Sequence, residues 1–384
     1  MKKRIIGLLV CICMVCTLLA ACGQSSQGEQ VQEDTSGTNK EADEGLTFGM
    51  ILWSRDDALG SMIYSSVNYA AECLGVNMQW EIGWSDVEEQ VTQAQNLIAA
   101  GVDGIMLVSI TDGATDRVSE LCEDAGIPLV LVHRRITDEE IRERVESRQT
   151  YLGSLSEDYI VDATNMMDYI ASLGTIEKVG LSLVTVGSSL ESKNTGILEG
   201  VEKYDMEVVG EIYTDGAADT RTYAENLITT YPDMDCLIMA SGSEGAAEAA
   251  YNRIKAVSGA GSIKLAMLDV PTDAEEMFED GTLICTCSTI YPLNIYALAI
   301  LYNYANGTPL GEEPVYLTQP SLLYTCVEDI TEIDAYASNP DYHLWSEEDI
   351  KALTKEVNPD VTEEDYQALM DEWSTEWIRE RIEN

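Results

Sequence analysis

Bases, histidine and phenylalanine are what this chain has least of. Of 384 residues, 22 are Lys or Arg against 68 Asp or Glu, a formal charge of −46. The bases are gathered nowhere in the part that folds. Nucleic-acid binding draws most of its affinity from Lys and Arg neutralising phosphates, so no nucleic-acid partner is expected. Attraction to anionic lipid headgroups is weakened for the same reason. With only two His in all, metal sites and catalytic triads lack their usual side chains. No GxSxG, HExxH, P-loop or glycine-rich dinucleotide turn occurs. Adjacent acids such as Asp56-Asp57 and Glu88-Glu89 diverge on a helix or strand and read as solvated faces or helix N-terminal charge. The expectation is therefore no enzyme, no metal and no cofactor. Phe is as scarce as His, at two, whereas Tyr reaches 19 and Trp 6; rings with a polar handle suit ligand clefts and half-buried surface alike.

What is present begins with a leader. Met1-Lys2-Lys3-Arg4 is basic, and residues 5–21 are apolar apart from Gly7 and Thr17. This run is at the lower limit for a bilayer span, and Ala20 and Ala21 at its end form a processing site. Leu19-Ala20-Ala21-Cys22 resembles the bacterial lipobox, in which cleavage precedes a cysteine that then carries the lipid. Residues 1–21 thus read as a signal peptide and Cys22 as the lipidation site, carrying palmitate. The mature protein is then a lipoprotein anchored at the extracytoplasmic face of the membrane. Residues 23–45 are almost free of apolar side chains and cannot offset their chain entropy. Residues 22–45 are read as a flexible linker, with a reach of about 25–30 Å.

Three of the ten Cys leave with the leader and Cys22 takes the lipid. The other six, Cys73, Cys122, Cys236, Cys285, Cys287 and Cys326, lie in apolar surroundings without CxxC spacing. Cys285 and Cys287 share one face of a strand, where a bridge between them would be strained. These six read as small buried hydrophobes.

From residue 46 onward short β-rich runs alternate with helical periods. Strands are expected at 46–53, 76–82, 104–108 and 128–132, separated by helices that close at Gly75, Gly101 and Gly126. A charged stretch without a strand fills 135–149. The rhythm restarts with a helix at 159–173, a strand at 179–184, a helix at 191–204 and strands at 207–213, 236–239 and 265–268, with helices near 219–231 and 244–257. Such alternation predicts an α/β fold of two similar Rossmann-like lobes with parallel sheets. Ligands of such sheets bind at the carboxyl ends of the strands, so two facing lobes make a cleft.

The motifs within this pattern resemble a known family. Gln-Asn-Leu-Ile before Gly101-Val102-Asp103-Gly104, then Ala125-Gly126-Ile127-Pro128-Leu129-Val130, resemble the first lobe of type I periplasmic binding proteins, in the ribose- and galactose-binding branch. Tyr231-Pro232-Asp233 before Leu237-Ile238, Leu268-Asp269 and Asp280-Gly281-Thr282-Leu283 fall where that family has strand and turn signals. The resemblance covers about residues 46–328. It implies a clamshell with a three-crossing hinge that delivers a small solute to the permease subunits of an ABC importer, acting as a monomer. The implied crossings lie near 153, 290 and 319. The lobes are then 46–153 with 290–318, and 154–289 with 319–330.

Carried over residue by residue, the resemblance implies a ligand site at Trp53, Asp57, His133, Arg134, Ser241, Asp269 and Thr289. His133-Arg134 stands where the family has Asp-Arg, so His133 lacks the acceptor charge while Arg134 keeps the planar donor fork. Ser241 stands where Asn is usual, and Lys193 or Thr195 approximates a family Arg. Trp80 and Trp84 flank the end of the second strand and read as ordinary packing in preference to a ligand face. A Trp face with carboxylates and an Arg suits a polyol, whose C–H faces stack while its hydroxyls make charge-assisted bonds. The same groups also suit a cationic or amino-containing solute, and a receptor feeding a sensor kinase would use the same cleft.

Residues 331–384 depart from the family's end. They carry 16 acids and 4 bases. Ser346-Glu347-Glu348-Asp349 and Thr362-Glu363-Glu364-Asp365 are helix starts with a hydroxyl cap. The expectation is an acidic helical extension whose apolar stripe, with Trp345, Trp373 and Trp377, docks on a lobe.

Overall fold

The computed structural model describes residues 45–56, 58–185, 191–214, 217–242, 245–288, 292–337, 339 and 342–383. The leader, Cys22 and nearly all of the linker lie outside the described residues.

The first lobe starts as β1 (Thr47–Leu52), α1 (Ala58–Leu74), β2 (Asn77–Ile82), α2 (Val87–Ala100), β3 (Gly104–Leu107), α3 (Asp112–Ala125), β4 (Leu129–Val132), α4 (Glu139–Glu146) and β5 (Tyr151–Glu157). The second is α5 (Tyr159–Ser172), β6 (Lys178–Val184), α6 (Ser192–Lys203), β7 (Glu207–Thr214), α7 (Ala217–Thr230), β8 (Cys236–Met239), α8 (Ala246–Val257), β9 (Lys264–Leu268), α9 (Ala274–Glu279) and β10 (Leu283–Cys287). α10 (Leu293–Ala305) and β11 (Val315–Gln319) return to the first lobe, and β12 (Leu323–Tyr324) to the second. A π-helical turn, Asp329–Asp334, leads into α11 (Ala335–Ala337), α12 (Glu347–Ala352), α13 (Glu363–Asp371) and α14 (Thr375–Glu383).

Each sheet has six strands, ordered β11-β5-β4-β3-β1-β2 and β12-β10-β9-β8-β6-β7. All pairings are parallel except that of β10 with β12. The strand order reverses between β1 and β3 in one lobe and between β6 and β8 in the other. A crevice opens at such switch points beyond the carboxyl ends of the strands.

Local signals explain the elements. Asp86 caps α2 by accepting from Glu89 N at 3.0 Å, and Gly101, at φ 79°, closes it in the left-handed conformation that a side chain would strain. Ser346 and Thr362 make full capping boxes with Asp349 and Asp365, as their spacing predicts. The apolar faces sandwich each sheet. In the first lobe, α1 and α10 cover one side and α2 and α3 the other. In the second, α5 and α6 oppose α7 and α8. The six cysteines are free, with Cys122, Cys236, Cys285 and Cys287 buried and Cys73 and Cys326 partly so.

Two boundaries differ from the sequence reading. Residue 153 falls inside β5, which pairs with β4 as far as Leu155 and with β11 as far as Glu157, so the first crossing is at Asp158. The strand reads YLGSLSE; a glycine and two serines hide it from a search for β-branched runs, although it is buried along most of its length. β11 likewise continues through Gln319, and the third crossing is residues 320–322. The second falls within 288–292, of which 289–291 lie outside the described residues.

The extension docks more widely than on one lobe. Ile350, Leu353, Val361, Tyr366 and Met370 join the core of the first lobe against α1 and α10. Trp373 and Ile378 pack with Leu322, Tyr324 and Ile333, and that cluster also takes in Met62 of the first lobe and Val270 and Phe278 of the second. Among the described residues no helix is long and apolar enough to cross a membrane, and no group of three or more His, Cys, Asp or Glu is placed to hold a metal ion.

Candidate ligand-binding site

On the first lobe the site is built from the loops after β1, β4 and β5. Trp53 follows β1 and meets the His133 ring edge-on, with centroids 6.3 Å apart. His133, just beyond β4, has φ 60°, in the left-handed region that is rare for a non-glycine residue. Three contacts hold it there. Its N–H donates to Leu155 O at 2.8 Å. Nδ1 lies 2.6 Å from Glu157 Oε1, and Nε2 lies 2.8 Å from Asn294 Nδ2 on α10. Nδ1 faces a carboxylate oxygen, which only accepts, so Nδ1 carries a proton and donates to Glu157. Arg134 folds back, its Nη1 donating to His133 O at 2.7 Å.

Glu157 is buried, and burial by itself pushes its carboxyl up. The electrostatic influence of His133 and its hydrogen bond outweigh that and hold Glu157 below the usual carboxylate range. Its second oxygen, Oε2, is buried without a hydrogen-bond partner.

The second lobe supplies a matching set. Asp269, at the end of β9, has φ 127°, a conformation that L residues seldom adopt. Its Oδ2 accepts from Ser241 Oγ at 2.8 Å, its Oδ1 is 3.3 Å from Lys193 Nζ on α6, and its backbone carbonyl accepts from Thr286 Oγ1 at 2.8 Å. Lys193 also stands 4.9 Å from the ring centroid of Tyr159 at the start of α5. Asn194 clamps the end of β6 by bonding both the N–H and the carbonyl of Val184.

A cavity of about 150 Å³ lies between the lobes, lined by His133, Arg134 and Glu157 from one and Tyr159, Ile160 and Ser192 from the other. Of the residues expected from the sequence, His133 and Arg134 line this cavity; Trp53 meets His133, and Ser241 and Asp269 are bonded to each other on the second lobe. Asp57 and Thr289 lie outside the described residues. Trp80 packs away from the cavity, against Tyr64 at 4.6 Å and with Nε1 bonded to Asn68 Oδ1. Glu157, Tyr159 and Asn294 were not foreseen. An amide inside the apolar run LNIYALAILYNYA is a signal that could have found Asn294, because a buried amide requires a partner.

Two strained non-glycine residues at the carboxyl ends of β4 and β9, each held by several hydrogen bonds, are what a preorganised binding site looks like. Comparison with known proteins bears on the family and the fold. A family model described as a periplasmic binding protein domain matches residues 48–309. A "Putative rhizopine-binding protein" of Rhizobium meliloti is 42% identical over 89 residues, 23% of this chain and 29% of that protein. The periplasmic ribose ABC transporter protein of Conexibacter woesei superposes with a TM-score of 0.65 at 18% identity, over 76% of this chain and 95% of that one. A solute-binding protein of Actinobacillus succinogenes with bound D-allose gives 0.64 at 16%, over 74% and 98%. One from Bacillus halodurans with bound myo-inositol gives 0.61 at 19%, over 77% and 99%. At such identities these likenesses establish the fold. The neighbours are matched nearly end to end while about a quarter of this chain stays outside the match, so the shared fold is only part of it. With the family model spanning both lobes, the chain belongs to the periplasmic binding protein domain family.

Proposed function

We infer that this protein is a monomeric solute-binding lipoprotein, tethered through Cys22 at the extracytoplasmic face of the membrane, that closes on a small sugar or sugar-like molecule and hands it to the permease subunits of an ABC importer. The observation that carries this reading is the cavity walled by polar groups of both lobes: His133, Arg134 and Glu157 opposite Tyr159 and Ser192. A ligand touching both walls favours the closed form by its differential contacts, and a permease reads the closed shape. The D-allose and myo-inositol bound to two neighbours support a polyhydroxylated ligand.

A thermal-shift screen of the full chain with D-ribose, D-galactose, D-allose and myo-inositol tests it. At a hundredfold excess over Kd, a bound ligand stabilises by about 2.7 kcal/mol, which raises Tm by several degrees. Arg134→Ala and Asp269→Asn should abolish the shift while the ligand-free protein still melts cooperatively. Unchanged shifts in both variants would sink the site assignment, and no shift with any of these solutes would sink the sugar reading.

A further inference from the structure

The sequence places His133 where the ligand's acceptor is expected, but the geometry gives that part to another residue. Both ring nitrogens of His133 are engaged inside the protein, Nδ1 with Glu157 and Nε2 with Asn294. Glu157 is the group left with an open lone pair. Its side chain is 4% exposed, one oxygen is taken by His133, and the other has no partner. It also lines the cavity between the lobes, beside Arg134, Tyr159 and Ser192. A buried carboxylate oxygen without a donor carries the full loss of its hydration, and native proteins keep such an atom where something else supplies the donor.

We propose that Glu157 Oε2 is the ligand acceptor on the first-lobe wall, and that it selects a ring presenting hydroxyl or ammonium donors while rejecting one that presents a carboxylate. This rests on the sugar-binding reading and deepens it. His133 is then a positioning residue. Its strained backbone and its two ring contacts fix the carboxylate of Glu157, which stands at the carboxyl end of the neighbouring strand β5. Arg134 spends one Nη1 donor on His133 O and keeps the rest of its fork beside the cavity, for ligand oxygens that Glu157 does not take. Hydroxyl and ammonium share one chemistry toward a carboxylate, and a matched series separates them.

The experiment measures binding of D-galactose, D-galactosamine, D-galacturonate and myo-inositol to the full chain by calorimetry, with melting of the ligand-free protein alongside. Glu157→Gln keeps the shape and an acceptor for His133 but turns the free end into a donor. It should weaken the best-bound neutral or amino probe by about ten- to a hundredfold, while the ligand-free variant still melts cooperatively. The wild type should bind D-galacturonate at least tenfold more weakly than its best neutral or amino probe. A larger loss in Glu157→Gln for D-galactosamine than for D-galactose assigns the subsite to an ammonium, and equal losses assign it to a hydroxyl. His133→Asn retains an N–H near the Nδ1 position and tolerates the left-handed backbone, so it should bind the same probe within about threefold while His133→Ala loses about tenfold or more.

Equal affinity of Glu157→Gln and wild type would overturn the proposal, as would a wild type that prefers D-galacturonate. If no neutral or amino probe binds the wild type, the sugar-binding reading falls and the ligand class proposed for Glu157 falls with it. Binding to the wild type with no loss in the variant removes Glu157 alone.

Discussion

Asp162 on α5 is a buried carboxyl at the join of the lobes. Its Oδ1 accepts from Ser321 N, in the third crossing, at 2.6 Å. Burial raises its pKa to about 7, against the lowering effect of the Ser321 hydrogen bonds and of Lys193. In the unfolded chain an Asp titrates near ~3.9. The folded form therefore holds a proton that the unfolded form has released between those two values. Stability from this group is complete below about pH 4 and is lost as pH rises through 7, by up to about 4 kcal/mol. Asp162→Asn keeps an acceptor for Ser321 and cannot ionise, so the gap in stability between variant and wild type should widen in the variant's favour from pH 4 to pH 8. Denaturant titration at each pH measures it, and parallel curves would contradict the assignment. Glu157 acts in the opposite sense, because its folded pKa is depressed; its contribution is present above the unfolded pKa and is lost as pH falls through the folded value. At this scale the sequence placed His133, Arg134, Ser241 and Asp269 just beyond recognisable strands, where the structure has them. It was not legible for Glu157, because Ser156-Glu157-Asp158 before an apolar period reads as a helix cap, and Asp158 does cap α5. Which wall a carboxylate faces is decided by the strand beneath it.

That strand, β5, shows how an element escapes pattern reading. It is buried with little alternation, and its pairing with β4 shifts register around Leu152. Gly153 has φ 121°, and a Cβ there would stand 1.9 Å from Val315 O on β11. The glycine is what lets β11 come alongside. Gly153→Ala should cost at least the roughly 1–3 kcal/mol of backbone strain, lower Tm by several degrees and strip hydrogen-exchange protection from residues 315–319 before the rest of the sheet. Protection equal to wild type in that strand would show that the close approach is not what holds it. α10 escaped for a different reason. LNIYALAILYNYA is apolar on every side, with ten of its residues buried, and such a helix needs cover all round. The cover comes partly from α12 and α13, far along the chain, and no local pattern announces that pairing. The helix starts of the extension were legible because capping boxes are local.

For the whole molecule, the two lobes could be counted from the strand and helix rhythm, whereas the span of the extension could not, since it depends on which surfaces the chain finds after leaving the second lobe. α13 covers the outer edge of the first sheet: Gln367 bonds both the N–H and the carbonyl of Thr318, and Glu363 accepts from Tyr316 N. α14 then reaches the segment after β12 through Arg379 and Asp329, 2.6 Å apart, and ties back to α12 through Arg381 and Asp349 at 2.9 Å. Trp373 stands between, its ring centroid 5.2 Å from that of Trp345 and 5.4 Å from that of Trp377, in a cluster with residues of both lobes. Two lobes joined only by three crossings would be free to unfold at separate temperatures, and a shared apolar cluster couples them. Trp373→Ala removes a side chain that is 6% exposed, a loss of about 3–5 kcal/mol for a buried aromatic. The Arg381–Asp349 pair, about a third exposed on both sides, adds little, whereas Asp329 is buried beside Arg379. Scanning calorimetry should then show the single transition of the wild type shift down and broaden or divide, with the second lobe, which lacks the Tyr366 and Met370 packing, melting first. Arg379→Ala leaves the buried Asp329 its backbone donors at Thr325 and Cys326, so it should lower Tm less and leave one transition. A Trp373→Ala variant that melts as sharply as the wild type at nearly the same temperature would mean that the extension decorates the lobes without coupling them.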